Sequence, residues 1–296
     1  MARETSYGGS VMTPSDLDGS VIGGSLGEWR SAHTTAGGDA MSTTPTFIQF
    51  PVGAKRVYIL VRSLTTAVVA QIAKCPWLTI LKTEDSLATI TDYSANAQDA
   101  DAATDVTLSS IPAAADGGYL YVGSWMKFRG VYIDVDAVNG TASALTVKYW
   151  NGSGWAATTG FTDNTGGATS LANDGTVVWA VPTDWATAGL STVGSPASTL
   201  VFGNSDTHLT DGLYWTRWQW ATALDSATTL NSMTAMPPST KYFELAVSQQ
   251  FEELVDRGTA MYGDKSVGGY SGIEHRTDAG TGALIVNVAT NRNEAF

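Results

Sequence analysis

Charge is scarce in this sequence. Only 15% of its 296 residues are Asp, Glu, Lys or Arg, against roughly a quarter in an ordinary soluble protein. Helix-forming Glu, Lys and Arg are thus too few for much helix, and a coiled coil, a helical repeat and a charged disordered chain are excluded. Basic residues are scarcer still: none lies between Glu84 and Met126, and Arg217 alone between Tyr149 and Thr240. With a net charge of −12, the chain has no electrostatic footprint for nucleic acid or for an anionic membrane surface. The single cysteine, Cys75, allows no intrachain disulfide and no zinc spacing. Its apolar setting reads as a buried, inert thiol. No window approaches the ~18 apolar residues of a membrane span, and the opening Met1 to Ser10 lacks the apolar core of a leader. The expectation is a soluble chain made in the cytosol.

Catalytic constellations are equally thin. The three histidines, His33, His208 and His275, lie far apart, each without a Ser or Cys motif beside it. Gly-x-Ser-x-Gly is absent, and Gly23-Gly24-Ser25-Leu26-Gly27 lacks the Lys of a phosphate loop. We expect no enzyme, no catalytic residue and no cofactor. Asp134 to Gly140 begins like a calcium loop but carries Val138 at its fifth position and no Glu at its twelfth. The better calcium candidate is Asp99, Asp101 and Asp105, set against the plainer reading of a solvated acidic loop.

What is present is Gly, Ser, Thr and Ala in quantity, with 10% aromatics. That composition suits short strands joined by many turns, and the expectation is a mainly β protein of two β-sandwich or jelly-roll-like domains with extended N- and C-terminal arms. Residues 1–46 lack a periodic apolar face and read as an extended arm, ordered by lying on another chain if ordered at all. Residues 47–117 carry strand signals at Phe47–Phe50, Arg56–Arg62, Ala67–Ile72 and Leu78–Leu81, and we expect a β domain completed by about 240–256. Between Tyr242 and Val255 the spacing admits a strand or a helix, and we favour a strand at Tyr242–Ser248 that joins this sheet. Residues 118–237 hold a second set: Tyr119–Gly123, Val131–Asp136, Leu145–Trp150, Gly175–Val181 and Leu213–Trp220. Asn139-Gly140 and Asn151-Gly152 read as turns between them. Residues 238–296 would supply the closing strand and a C-terminal arm with one strand-like run at Ala283–Val288.

Eight of the ten tryptophans fall in this second block: Trp125, Trp150, Trp155, Trp179, Trp185, Trp215, Trp218 and Trp220. Two readings stand side by side. Flat rings on a surface stack on sugars. Rings in a core or a subunit contact each remove a large apolar area from water. A sandwich of ~120 residues is too small to bury all eight, so some are expected on the surface or against another chain. We place Trp150 and Trp179 in the core, name Trp218 and Trp220 as the exposed members if the rings form a sugar platform, and carry Trp150, Trp155, Trp179, Trp185, Trp215, Trp218 and Trp220 as candidate subunit or glycan contacts. Arg217, alone among acidic neighbours, is expected to pair with a carboxylate.

The succession Gly118-Tyr119-Leu120-Tyr121-Val122-Gly123, Phe128-Arg129-Gly130-Val131, Val147-Lys148-Tyr149-Trp150-Asn151-Gly152-Ser153-Gly154-Trp155, Val181-Pro182-Thr183-Asp184-Trp185 and Gly212-Leu213-Tyr214-Trp215-Thr216-Arg217 resembles a Trp-rich β-sandwich module of tailed-bacteriophage virion proteins. The resemblance covers roughly residues 117–237 and implies particle assembly with no catalytic residues to carry over. The implied role is a virion structural protein, foremost a head decoration or cement subunit, made in the host cytoplasm. Its implied partners are copies of itself and other virion proteins, above all the major capsid protein. Two rivals stay open: a tail or head-fibre protein, and a carbohydrate-binding module, each binding host glycans through surface tryptophans.

Overall fold

The computed structural model describes residues 6–7, 10–11, 22–24, 27–32, 37–50, 54–66, 69–85, 89–98, 103–109, 111–193, 212–254 and 269–290. Among them the chain is mainly β, arranged in antiparallel sheets, with a single four-residue α-turn at Leu190–Val193. Two compact units form. One comprises Met1–Lys74, Thr240–Thr259 and Gly269–Phe296; the other comprises Cys75–Ser239 and Ala260–Gly268.

In the first unit, one sheet runs in the order Phe243–Leu245, Ala70–Pro76, Tyr270–Thr277, Thr46–Gln49. The other runs Gln250–Leu254, Ala54–Leu64, Gly282–Thr290, Gly27–Ser31, Ile22–Gly24, with Asp39–Met41 also on the Gly282–Thr290 strand. Between the sheets, Ile48, Ile72, Leu245 and Ile273 meet Val57, Ile59, Val61, Leu284, Val286 and Val288. The alternation in Arg56–Arg62 has a simple cause: Val57, Ile59 and Val61 face inward at period two.

The segment 242–254 is strand, in two pieces that join different sheets: Phe243–Leu245 pairs with Ala70–Ile72, and Gln250–Leu254 with Arg56–Leu60. Between them the backbone turns at Ser248, whose φ is 63°. Side chains tie the first piece down. Gln71 Nε2 donates to Glu244 Oε1 at 3.2 Å, Arg276 Nε donates to Gln71 Oε1 at 2.8 Å, and the Tyr242 hydroxyl donates to Glu274.

The expected arms are corrected in part. Gly27–Ser31 pairs with Asn287–Thr290, and Asp39–Met41 with Gly282–Leu284, with Met41 buried in the core. A Gly- and Ser-rich run needs no apolar face of its own when a neighbouring strand satisfies its backbone. Likewise Tyr270–Thr277 and Gly282–Thr290 form long inner strands where a C-terminal arm was expected.

In the second unit, one sheet runs Thr91–Asp92, Thr79–Thr83, Tyr119–Ser124, Leu213–Trp220, Leu145–Trp150, Trp155–Ala157, with Thr187–Ala188 on the Leu213–Trp220 strand. The opposing sheet runs Val106–Thr107, Thr229–Met236, Gly130–Ala137, Gly175–Val178, Thr162–Asp163. Ile80, Leu120, Val122, Val147, Tyr149, Trp218 and Trp220 pack on Val131, Ile133, Val177, Met233 and Ala235 to make the core. Residues 75–117 lie in this unit, so the boundary expected at 117/118 falls inside it: Tyr119–Gly123 pairs with Thr79–Thr83, and Val106–Thr107 with Thr229–Leu230.

Asn139-Gly140 is an arch between the two sheets, because Gly130–Ala137 and Leu145–Trp150 belong to opposite ones. The buried Asn139 side chain holds the arch. Its Nδ2 donates to the carbonyls of Thr141 at 2.8 Å and Ser170 at 3.0 Å, while its Oδ1 accepts from the Thr141 and Asp225 amides. Asp225 in turn accepts from the amides of Gly140 and Ala227, and those two bonds hold its carboxyl below the usual carboxylate range.

Candidate functional site: an aromatic face around Arg217

Period-two alternation along Leu213–Trp220 sends its residues to opposite sides of the sheet. Tyr214, Trp218 and Trp220 join the sandwich core, and Leu213 and Trp215 the opposite, outer face. Trp218 and Trp220 are each only 1% exposed, so neither is available as an exposed member of a sugar platform. Trp218 Nε1 donates to Thr216 Oγ1 at 3.0 Å, so the indole is satisfied inside the protein.

Trp179 and Trp185 are also buried. Phe128 lies with its ring centroid 5.4 Å from Trp179 and 5.1 Å from Trp185, and Trp185 Nε1 donates to the Trp215 carbonyl at 3.1 Å. Trp215 is fully buried on the outer side, with Nε1 donating to the Ala188 carbonyl at 2.9 Å. Trp125, Trp150 and Trp155 are half-buried and pack around Trp215, Tyr121, Leu190 and Val193. Of the seven candidate contacts, only Trp150 and Trp155 therefore keep surface to offer. Trp150, expected in the core, sits on the outer face because it follows Tyr149, which takes the inward position.

Trp150 and Trp155 are cross-strand partners flanking a four-residue loop. Asn151 closes that loop: its Oδ1 accepts from the Gly154 amide at 2.9 Å and the Ser153 amide at 3.0 Å, and Gly152 takes a φ of 96°. The two indoles meet edge to face at 5.7 Å, and Tyr121 lies 5.7 Å from Trp155.

At the centre of this face is Arg217. Its guanidinium carbon lies 4.6 Å from the centroid of Tyr119 and 5.0 Å from that of Trp155, both within cation–π reach. Among the described residues no carboxylate pairs with it, where the sequence led us to expect an ion pair. Its Nε is buried without a hydrogen-bond partner. The register places Arg217 opposite Tyr121 on one side and opposite Lys148 on the other. Burial pushes the Tyr121 phenol up to about 12, against the opposing charge of Arg217, so it stays protonated across the working range of pH.

The other sequence candidates are dispersed. Asp99 and Asp101 lie outside the described residues, as do His33 and His208. Asp105 is half-buried, and no group of three or more His, Cys, Asp or Glu is placed to hold a metal ion among the described residues. Asp134 and Asp136 are engaged with Asn231 and Thr229 across the opposing sheet. His275 is wholly buried in the first unit, and neither ring nitrogen has a hydrogen-bond partner. Cys75 is buried and forms no disulfide. Among the described residues no helix is long and apolar enough to cross a membrane.

Sequence reasoning missed the Arg217 face by treating the tryptophans as one block. The signal was available in the alternation of Leu213–Trp220, which separates Trp215 and Arg217 from Trp218 and Trp220. No family model matches the chain, and no curated protein matches it.

Proposed function

We propose that the protein is a non-enzymatic structural subunit of a bacteriophage virion, foremost a decoration or cement protein of the head, acting through contacts with the major capsid protein and with its own copies. The observation that carries this reading is the use made of the tryptophan block. Five of its indoles, Trp179, Trp185, Trp215, Trp218 and Trp220, are 3% exposed or less. Spending that much aromatic area on the interior supports a rigid sandwich, and a stack of open sugar platforms is thereby disfavoured. The sequence resemblance over residues 117–237 supplies the particle.

Immunogold electron microscopy of the source phage, with antibody raised against this chain, tests the reading. Regularly spaced gold on the head is the expected result. Label confined to the tail or to fibres would move the protein to its rival location. Absence of the chain and of label from purified particles, while the infected lysate contains it, would remove the virion role altogether.

A further inference from the structure

On the outer face of the Trp-bearing sheet, a row of register partners runs Leu81, Tyr121, Arg217, Lys148, Ala157. Two cations thus stand directly opposite each other, an arrangement that destabilises a sheet unless something neutralises it. In a chain with 28 acidic and 16 basic residues, supplying a nearby Asp or Glu would be easy. Neither Arg217 nor Lys148 has a carboxylate partner among the described residues. The Nε of Arg217 is buried and unpartnered while its guanidinium is stacked on Tyr119 and Trp155. Stacking fixes the plane of a guanidinium, and with Nε sealed from solvent it is the terminal nitrogens that are left to meet a carboxylate from outside.

The rings also restrict the occupant. Arg217 lies over the Trp155 ring, and Trp150 and Tyr121 crowd the same indole. A pyranose needs an open ring face, whereas a carboxylate on a protein surface needs only the donor edge and an apolar surround. Trp, Tyr and Arg together are the residue types that dominate protein contacts. Each copy of this chain carries 28 acidic against 16 basic residues, so although the net charges of two copies repel, a carboxylate on one complements the cations on the other.

We propose that this face docks a second copy of the chain, with an Asp or Glu of the neighbour seated on Arg217 and Lys148. Among the described residues the centre of the face holds cations and no acid, so two copies cannot meet centre to centre about a two-fold axis. The contact is head to tail, and it closes into a ring or continues from subunit to subunit. This deepens the assembly reading and rests on it for the kind of partner. The two fail separately, since gold labelling reports location and the free chain reports the contact.

Sedimentation equilibrium of the purified full chain, up to about 100 μM and over a series of salt concentrations, tests it. The expected result is a species heavier than the 31.1 kDa monomer that dissociates as salt rises. Arg217→Gln and Lys148→Gln should each weaken association about tenfold, while Lys241→Gln, in the first unit, leaves it unchanged. Lys148→Gln reads the same face without disturbing the ring stack, so a folding defect in Arg217→Gln does not blunt the test. A chain that stays monomeric throughout overturns the proposal, as does an oligomer indifferent to both substitutions. Binding of a glucuronic-acid oligosaccharide by a monomeric chain, abolished by Arg217→Gln, would assign the face to a sugar acid instead.

Discussion

Gly123 faces the indole of Trp215 so closely that a Cβ there would lie 2.7 Å from two ring carbons. Trp215 has no room to retreat, being fully buried and held through Nε1 to the Ala188 carbonyl. Gly123→Ala should therefore cost about 1–3 kcal/mol through overpacking, read as a lower denaturant midpoint with an unchanged m-value. A midpoint equal to the parent would mean the ring is freer than its contacts indicate. Trp218, on the other side of the same sheet, makes the complementary case. Trp218→Ala opens a large cavity in the sandwich core and should cost ~3–5 kcal/mol, whereas Trp150→Ala, on the half-buried outer face, should cost about 1–2 kcal/mol. Chemical denaturation of the two variants side by side checks the ranking, and the reverse order would contradict the assignment of inner and outer faces.

Two elements differ in their response to acid for separate physical reasons. In strand Tyr270–Thr277, burial lowers the His275 imidazole from 6.5 to about 4, with Asp39 the one charged group that acts against the shift. The folded state therefore binds fewer protons than the unfolded state between those two values. Stability of the first unit is highest above pH 6.5, falls as pH drops towards 4, and loses ~3 kcal/mol over that window. At the arch, the Asp225 carboxyl is depressed by amide donors, so its contribution is present above its unfolded value near 3.8 and disappears only below it. Thermal melts from pH 7.5 to 3 should show the early loss first, and His275→Phe should remove it while leaving the later one. An unchanged slope between pH 6.5 and 4 in that variant would exclude His275 as the source.

For the whole molecule, the sheet order sets which fragments are complete. A piece spanning 118–237 lacks Thr79–Thr83 and Val106–Thr107, and so leaves one long edge of Tyr119–Ser124 open. It also lacks Leu78, Ile80, Ala97 and Val106 from the core. Expressed alone, 75–239 should melt cooperatively, while 118–237 should aggregate or melt broadly, because an open apolar edge invites intermolecular pairing. Calorimetry of the two fragments decides between them, and a sharp transition in the shorter one would show that strand Thr79–Thr83 is dispensable.

Class was legible from composition: little charge, few helix formers and many short polar residues dictate short antiparallel strands. Strands with their own apolar alternation, such as Arg56–Arg62, Val131–Asp136 and Leu145–Trp150, were legible individually, because period two is a local property. Thr229–Met236 was not. Its Asn, Ser, Thr and Ala carry little hydrophobic signal, and its place is fixed by Gly130–Ala137 and Val106–Thr107 on either side. The same holds for Gly27–Ser31 and Tyr270–Thr277, each of which pairs on one side with a strand remote in sequence, Gly282–Thr290 and Thr46–Gln49 respectively. The Trp content announced a large aromatic investment, but which rings entered the core depended on strand phase, since a one-residue shift exchanges the two faces. Tertiary structure alone decided that Arg217 would lie between Tyr119 and Trp155 and opposite Lys148, because register joins residues that sequence keeps roughly sixty to a hundred positions apart.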